Sequence, residues 1–253
     1  MKRTYYIVVY YLSWVAFAFF GLLLNLVCTP LLLVPRRARL SPVVRSAIRR
    51  MFDFWVRWFH ASGVLRLTWH GFDRPLEPGV VYVANHPSLV DATFLMARLP
   101  DAFCIFKRKL MNNPVVGPAA LMAGYVSEGN PVDALRAASA AVAAGQSFLV
   151  FPEGTRTSPG VVLEPLKYGF ALVAHRAHAP VQLILIRTSE GLVPRGRPWW
   201  VPPKHLPGAI DVWLDQRWAH DPSRSPKALA ESVEKRMHEA LGGIVPRNLE
   251  SSG

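Results

Sequence analysis

Two short polar clusters carry the residue types from which acid–base chemistry can be built. The first is Asn85-His86-Pro87-Ser88-Leu89-Val90-Asp91, which follows the apolar run at 80–84. Pro87 biases His86 away from helical dihedrals and toward an extended backbone. Ser88 is placed to cap a helix whose first turn holds Asp91. From there Asp91 can face back and accept a hydrogen bond from one imidazole nitrogen. That bond fixes the tautomer and leaves the other nitrogen free as a base. A helix N-terminus close by also disfavours the imidazolium. The chain has no Gly-x-Ser-x-Gly, and no Ser or Cys is obviously presented as a nucleophile. The proton that His86 takes would then come from a substrate, and a hydroxyl is the natural source.

The second cluster is Phe151-Pro152-Glu153-Gly154-Thr155-Arg156, at the end of the apolar run 148–151. The backbone N–H groups of Gly154 and Thr155 can face an anion, and Arg156 is a bidentate donor for phosphate or carboxylate. Lys107, Arg108 and Lys109 add cations near the same end of the body. Taken singly, a His-x4-Asp is more often a satisfied histidine beside a helix-capping aspartate, and Glu-Gly-Thr-Arg is a plausible turn. Two such clusters, each at a strand end and behind an apolar N-terminus, point to one site. His175-x-x-His178 has no acid or Cys near it in sequence and reads as helix surface, so no metal site is expected.

The elements that must position these groups are legible in outline. Runs 80–84, 148–151 and 181–186 read as buried strands, and 209–214 alternates like a more exposed one. Stretches 91–99, 114–123, 132–144, 168–178 and 226–241 read as helices. Leu229, Val233, Met237 and Leu241 form a packing stripe on the last of these. Alternation of strand and helix predicts an α/β body with a central, mostly parallel sheet flanked by helices. In such a body, functional groups gather where strands end and helices begin. The Pro-rich stretch 193–207 reads as a loop, with Trp199 and Trp200 free either to touch a membrane or to pack.

Residues 5–35 contain no charge at all. That exceeds the roughly 20 residues needed to cross a bilayer core. Lys2 and Arg3 flank one end, and Arg36, Arg37 and Arg39 the other, with Tyr and Trp as interfacial aromatics. The run is too long for a cleaved signal peptide. Two topologies remain open, a single tilted span or a re-entrant hairpin broken around 25–30. Next comes an Arg-rich amphipathic stretch with Val44, Ile48, Met51, Phe52, Trp55 and Phe59 on one face. Beside an apolar anchor, it is expected to lie in the membrane interface. The organisation is therefore read as a membrane anchor at 1–40, an interfacial helix at 41–62, an α/β domain at 63–220, and a C-terminal helix and tail at 221–253.

The chain of 253 residues has a formal net charge of +12. Residues 1–62 hold nine Lys/Arg against one acid, so most of the excess lies beside the apolar anchor. It is read as attachment to anionic lipid headgroups. A nucleic-acid partner lacks support, since no zinc-finger, RNP or helix-turn-helix signature is present. Two cysteines make no disulfide framework, which suits a reducing, cytosol-facing body.

With both clusters in view, the chain resembles the glycerolipid and lysophospholipid acyltransferase family, whose best-known members are the 1-acylglycerol-3-phosphate acyltransferases. The family's first block, Asn-His-x4-Asp, is matched by Asn85, His86 and Asp91. Its third, Phe-Pro-Glu-Gly-Thr-Arg, is matched residue for residue by 151–156. Lys107 to Leu110, with Pro114 and Gly117, looks like the second block. There are departures. Lys109 stands where an acid is usual, and the arginine usual after the second block is absent from 124–130. The fourth block survives only as Ala179-Pro180-Val181-Gln182-Leu183. That run and Pro198–Pro203 look more like the acyltransferases of bacterial aryl-polyene lipid clusters.

The resemblance implies a membrane-bound O-acyltransferase. His86, oriented by Asp91, deprotonates an acceptor hydroxyl on a lysophospholipid such as 1-acylglycerol-3-phosphate. The donor is an acyl carrier protein or coenzyme A thioester, used as co-substrate with no cofactor and no metal. Arg156, Glu153, Gly154, Thr155, Lys107 and Asn85 form the substrate-binding set. The implied location is a bacterial-type inner membrane with the catalytic domain facing the cytoplasm. Two other readings stay open: an acyltransferase for a non-glycerophosphate lipid, and a non-catalytic membrane lipid-binding protein.

Overall fold

The computed structural model of the chain describes residues 2–189 and 192–242. Residues 243–253 of the C-terminal helix and tail expected at 221–253 lie outside them, as does the Arg108 side chain.

The apolar N-terminus is one helix, α1 (Lys2–Leu31). At about 1.5 Å per residue it is roughly 45 Å long. It is continuous through 25–30, with Pro30 in its last turn, so the hairpin does not form within it. Asn25 is a docking point instead of a break. Its amide donates to Gly21 O at 2.7 Å and Val115 O at 2.6 Å, and its Oδ1 accepts from Ala119 N at 2.7 Å. Gly21 permits this approach, because a Cβ there would stand 2.6 Å from Val115 Cγ1. The helix is long and apolar enough to cross a membrane by length and composition.

A short turn leads to α2 (Ser41–Ala61). Arg49, Arg50 and Arg57 lie on its outer side, but Arg45 is buried and the apolar stripe faces inward. Val44, Ile48, Trp55, Val56 and Phe59 are buried, chiefly against the helix α3 (Asp91–Arg98) and against α1. Trp55 Nε1 donates to Ser13 O at 2.8 Å, and Trp58 Nε1 to Ser13 Oγ at 3.0 Å. The stripe expected on lipid is thus packed on protein, because α1 and α3 offer apolar surface closer at hand. Val43, Phe54 and Trp58 remain exposed on the outside of α2.

Among the described residues, six strands form the main sheet: β1 (Leu65–His70), β2 (Val81–Ala84), β3 (Ala102–Phe103), β6 (Ser147–Val150), β7 (Val181–Thr188) and β8 (Gly208–Trp218). Their order is β1-β8-β7-β2-β6-β3, and only the β7–β8 pair is antiparallel. β2 is buried on both faces, which is why it reads as an unbroken apolar run. β4 (Ile105–Phe106) and β5 (Val126–Ser127) form a separate two-stranded sheet. The remaining helices are α4 (Arg108–Met111), α5 (Gly117–Met122), α6 (Pro131–Ala143), α7 (Gly169–Arg176) and α8 (Pro226–Gly242). The expected α/β body with a mostly parallel sheet is what forms. Three of the expected helices come out shorter at their ends, as frayed termini commonly do.

Candidate active site

β2 and β6 are neighbours and run parallel, so their C-terminal ends bring the two clusters to the same edge of the sheet. β2 does not stop cleanly. Asn85 extends its pairing with β7 through the side chain: Nδ2 donates to Ile186 O at 2.8 Å and Oδ1 accepts from Ile186 N at 2.7 Å. The Asn85 amide, expected on substrate, is therefore buried and occupied, and it aims the next residue instead.

That residue is His86. Its Nδ1 lies 3.1 Å from Asp91 Oδ2. The imidazole stacks on Phe151 with centroids 4.1 Å apart. A carboxylate can only accept, so this contact makes Nδ1 the protonated nitrogen and leaves Nε2 with a lone pair. Asp91 Oδ2 also accepts from Ser88 N at 2.6 Å, while Oδ1 is buried with no partner among the described residues. Burial pushes the Asp91 carboxyl above the ordinary carboxylate value, opposed by the hydrogen bond and charge of His86. Ser88 was expected to cap α3. The helix starts after Val90 with no side-chain cap, and the Ser88 hydroxyl accepts from Val193 N at 3.2 Å.

The second cluster is tied to the first through Glu153. His86 N donates to its Oε1 at 2.7 Å, and Glu164 N to its Oε2 at 3.0 Å. The Thr157 hydroxyl donates at 2.8 Å to Oε2, and Thr157 N donates to His86 O at 2.8 Å. Glu153 is buried and its acceptors are taken, so it holds the site together; it was expected on substrate. Gly154, at φ 65, closes the turn by donating its N–H to Phe151 O. Among the described residues, the N–H groups of Thr155 and Arg156 have no acceptor. They, and not that of Gly154, are the donors available to an anion.

Arg156 is partly committed. Its Nη1 donates to Val193 O at 3.1 Å and Pro194 O at 3.0 Å. Burial and the nearby Arg195 lower its pKa. Lys107 stands exposed at the start of α4, and no hydrogen bond among the described residues joins it to the His86 cluster. Among the described residues, Lys167 is a cation at the turn with no side-chain hydrogen bond or ion pair. Its N–H donates to Pro152 O at 2.8 Å, and its Nζ would stand 2.9 Å from a Cβ at Gly154. Thr157 and Lys167 were not singled out from the sequence. Thr157 directly follows the motif, but nothing local marks Lys167, which the fold brings back from eleven residues beyond Arg156. Among the described residues no group of three or more His, Cys, Asp or Glu side chains is placed to hold a metal ion.

An imidazole held by a buried carboxyl group, beside backbone donors and cations, is equipped to move a proton at a hydroxyl near an anion. That defines a class of sites that act by general acid–base chemistry. Comparison with known proteins narrows the class. Residues 66–187 match the family model described as Acyltransferase. The 1-acyl-sn-glycerol-3-phosphate acyltransferase of Cocos nucifera is 32% identical over 108 residues, 40% of this chain and 35% of that protein. That of Limnanthes alba is 29% identical over 138 residues, 50% of this chain and 49% of that protein. That of Helicobacter pylori is 29% identical over 113 residues, 42% and 48% of the two chains. The chain thus spans about half the length, or less, of the curated relatives it matches. The crystal structure of the 1-acyl-sn-glycerophosphate (LPA) acyltransferase PlsC from Thermotoga maritima has the same fold. Its TM-score is 0.72 at 22% identity, over 97% of this chain and 98% of that one. Over residues 66–187 in sequence, and in its fold, the chain is thus similar to the glycerolipid acyltransferases.

Proposed function

We propose that this chain is an O-acyltransferase that moves a fatty acyl group from an acyl thioester to the hydroxyl of a lysophospholipid of the 1-acylglycerol-3-phosphate type. The observation that carries this reading is the His86–Asp91 contact at 3.1 Å, which leaves Nε2 as a base where the two strand-end clusters meet. The named activity of its relatives supports it. Nε2 takes the hydroxyl proton as the oxygen attacks the thioester carbonyl carbon. The tetrahedral oxyanion collapses, the carbon–sulfur bond breaks, and the imidazolium returns the proton to the leaving thiolate. Lys167, Arg156 and the N–H groups of Thr155 and Arg156 supply positive charge for the acceptor phosphate. Lys107, exposed on α4, remains a candidate for the phosphates of an acyl carrier protein or coenzyme A donor.

The geometry of α1 suggests how the domain meets its lipid. It touches the body from Tyr5, bonded to Ser62 O, to Cys28, which is buried, so it lies along the domain. Its outer face, with Leu12, Val15, Phe19, Leu23 and Leu26, is exposed and apolar. We read this face as immersed in one leaflet, with the flanking arginines at the headgroups and the domain on the cytoplasmic side.

The test uses the full chain in vesicles with labelled acyl-coenzyme A or acyl carrier protein and a panel of lysolipids, phosphorylated and not. Labelled diacyl product from wild type, with His86→Ala inactive, is expected. Equal turnover by His86→Ala would sink the mechanism, and product only with unphosphorylated acceptors would sink the proposed substrate.

A further inference from the structure

A cavity of about 280 Å³ lies between α2 and the C-terminal end of α3. We propose that it is a second anion site, taking a phosphate group such as the headgroup of an anionic phospholipid.

Its walls carry Arg45, Arg49 and Arg50 against a single carboxylate, Asp101. Arg45 is buried and fixed: Nε and Nη2 reach the two oxygens of Asp101 at 2.6 and 3.1 Å, and Nη1 donates to Ala123 O at 2.9 Å. Arg49 and Arg50 are exposed and, among the described residues, have no hydrogen bond or ion pair. The one acid of α2 does not serve them. Asp53, one turn beyond Arg49, pairs with Arg57 at 2.8 Å. Asp101 neutralises Arg45, so Arg49 and Arg50, two like charges beside a concavity, are what call for a counter-anion. Leu99 and Tyr125, both buried, also line it.

Size and place decide the class of ligand. The volume falls just under the roughly 300–1,000 Å³ of ordinary small-molecule pockets, which suits a headgroup better than a whole lipid. Asp91 opens α3 and Leu99 follows its end, so the cavity stands about 12 Å down that helix from the catalytic carboxylate. It is also beside Ala102, where β3 pairs with the beginning of β6, whereas the catalytic clusters follow the ends of β2 and β6. The acceptor phosphate of the acyl-transfer site therefore cannot reach it. Val43, next to Pro42 of the cavity wall, is 66% exposed. An apolar side chain beside a cationic hollow is the arrangement of a headgroup seated above acyl chains.

The test measures binding without turnover, so its failure leaves the acyl-transfer reading standing. Full-length protein is assayed for co-sedimentation with phosphatidylcholine vesicles, with and without phosphatidylglycerol, at physiological salt. A separate arm measures thermal protection by inorganic phosphate. Three variants are compared: Arg49→Gln/Arg50→Gln, the equal-charge control Lys227→Gln/Lys235→Gln on α8 away from the cavity, and Ser46→Phe, which fills the cavity with no change of charge. The expected result is a loss of phosphatidylglycerol-dependent binding of about tenfold or more in the first and third variants, well beyond the control. Protection by millimolar phosphate in wild type, absent from those two variants, would support the same site with a free anion as its ligand. Equal loss in both charge variants with none in Ser46→Phe would show diffuse attraction and overturn the site. So would the absence of both binding effects in wild type.

Discussion

The backbone N–H of His86 donates to Glu153 Oε1 at 2.7 Å, and this bond makes one unit of two strand ends that are 67 residues apart. Glu153 also receives Thr157 and Glu164. Glu153→Gln replaces one acceptor by a donor and sets it against groups that donate. The expected cost is about 2 kcal/mol in urea unfolding. The turnover number should fall at least about tenfold with KM little changed, since a displaced base misaligns the transition state more than it weakens binding. An unchanged turnover number would mean that the base is placed by other contacts.

Asp91→Asn keeps the shape of the side chain but can hold the imidazole in the wrong tautomer. A fall in kcat of roughly a hundredfold to ten-thousandfold is expected. The pH dependence follows from burial, which raises the Asp91 carboxyl above its usual value. A raised carboxyl stabilises the fold while it is protonated, and that contribution is lost as pH rises through the folded-state value. Catalysis has the opposite sign, because only the carboxylate can accept from Nδ1. The acid limb of kcat/KM in wild type should therefore extend above the ordinary aspartate value near pH 4. A pH–rate profile of Asp91→Asn with the same limb and the same plateau would refute the assignment.

Lys167→Ala should raise KM for a phosphorylated acceptor by roughly tenfold to a hundredfold while leaving kcat nearly intact. Acylation of a neutral acceptor should be unaffected. Gly154→Ala should reproduce part of the effect, because a Cβ at 2.9 Å from Nζ pushes the ammonium aside, and φ 65 adds strain of about 1 kcal/mol. Steady-state kinetics on paired acceptors checks both. Equal losses on neutral and phosphorylated acceptors would point to a folding defect instead.

Arg45 and Asp101 give an asymmetric pair. The Arg45 side chain is 6% exposed and that of Asp101 38%. Asp101→Ala strands a buried guanidinium and should cost about 3 kcal/mol in urea or thermal unfolding. Arg45→Met leaves a carboxylate that water can reach and one unpaired carbonyl, Ala123 O, and should cost less. The reverse order would mean that Arg45 finds another partner.

Much of the site was legible because its residues are adjacent in the chain: His86, Asp91 and the 151–156 turn each fall within one strand–helix corner. The roles of Asn85 and Glu153 were not, since their partners Ile186 and Glu164 lie on other elements and a buried amide looks like an exposed one in sequence. β1 went unread although Leu65, Leu67 and Trp69 alternate with polar residues, because six residues of alternation are easily lost beside a strong helix. The stripe on α2 was read correctly as a stripe, but periodicity reports that a face is covered and not by what. Lys167 carries no local signal at all; only the fold sets it over Gly154.

The contacts along α1 change what a shortened chain would be. Trp14 packs on Trp55 and Trp199, Trp55 bonds Ser13, and Ala119 N relies on Asn25. The Tyr10 and Tyr11 hydroxyls hold the backbone of Trp199 and Trp200, a few residues from Val193, which in turn meets Ser88 and Arg156. Cutting away residues 2–31 would not yield a cleaner water-soluble domain. It would bare the apolar flanks of α2 and α5, release the segment that braces the catalytic loop, and give a product that aggregates in detergent-free buffer. For this chain, the conditions of purification and the integrity of the candidate site are governed by the same helix.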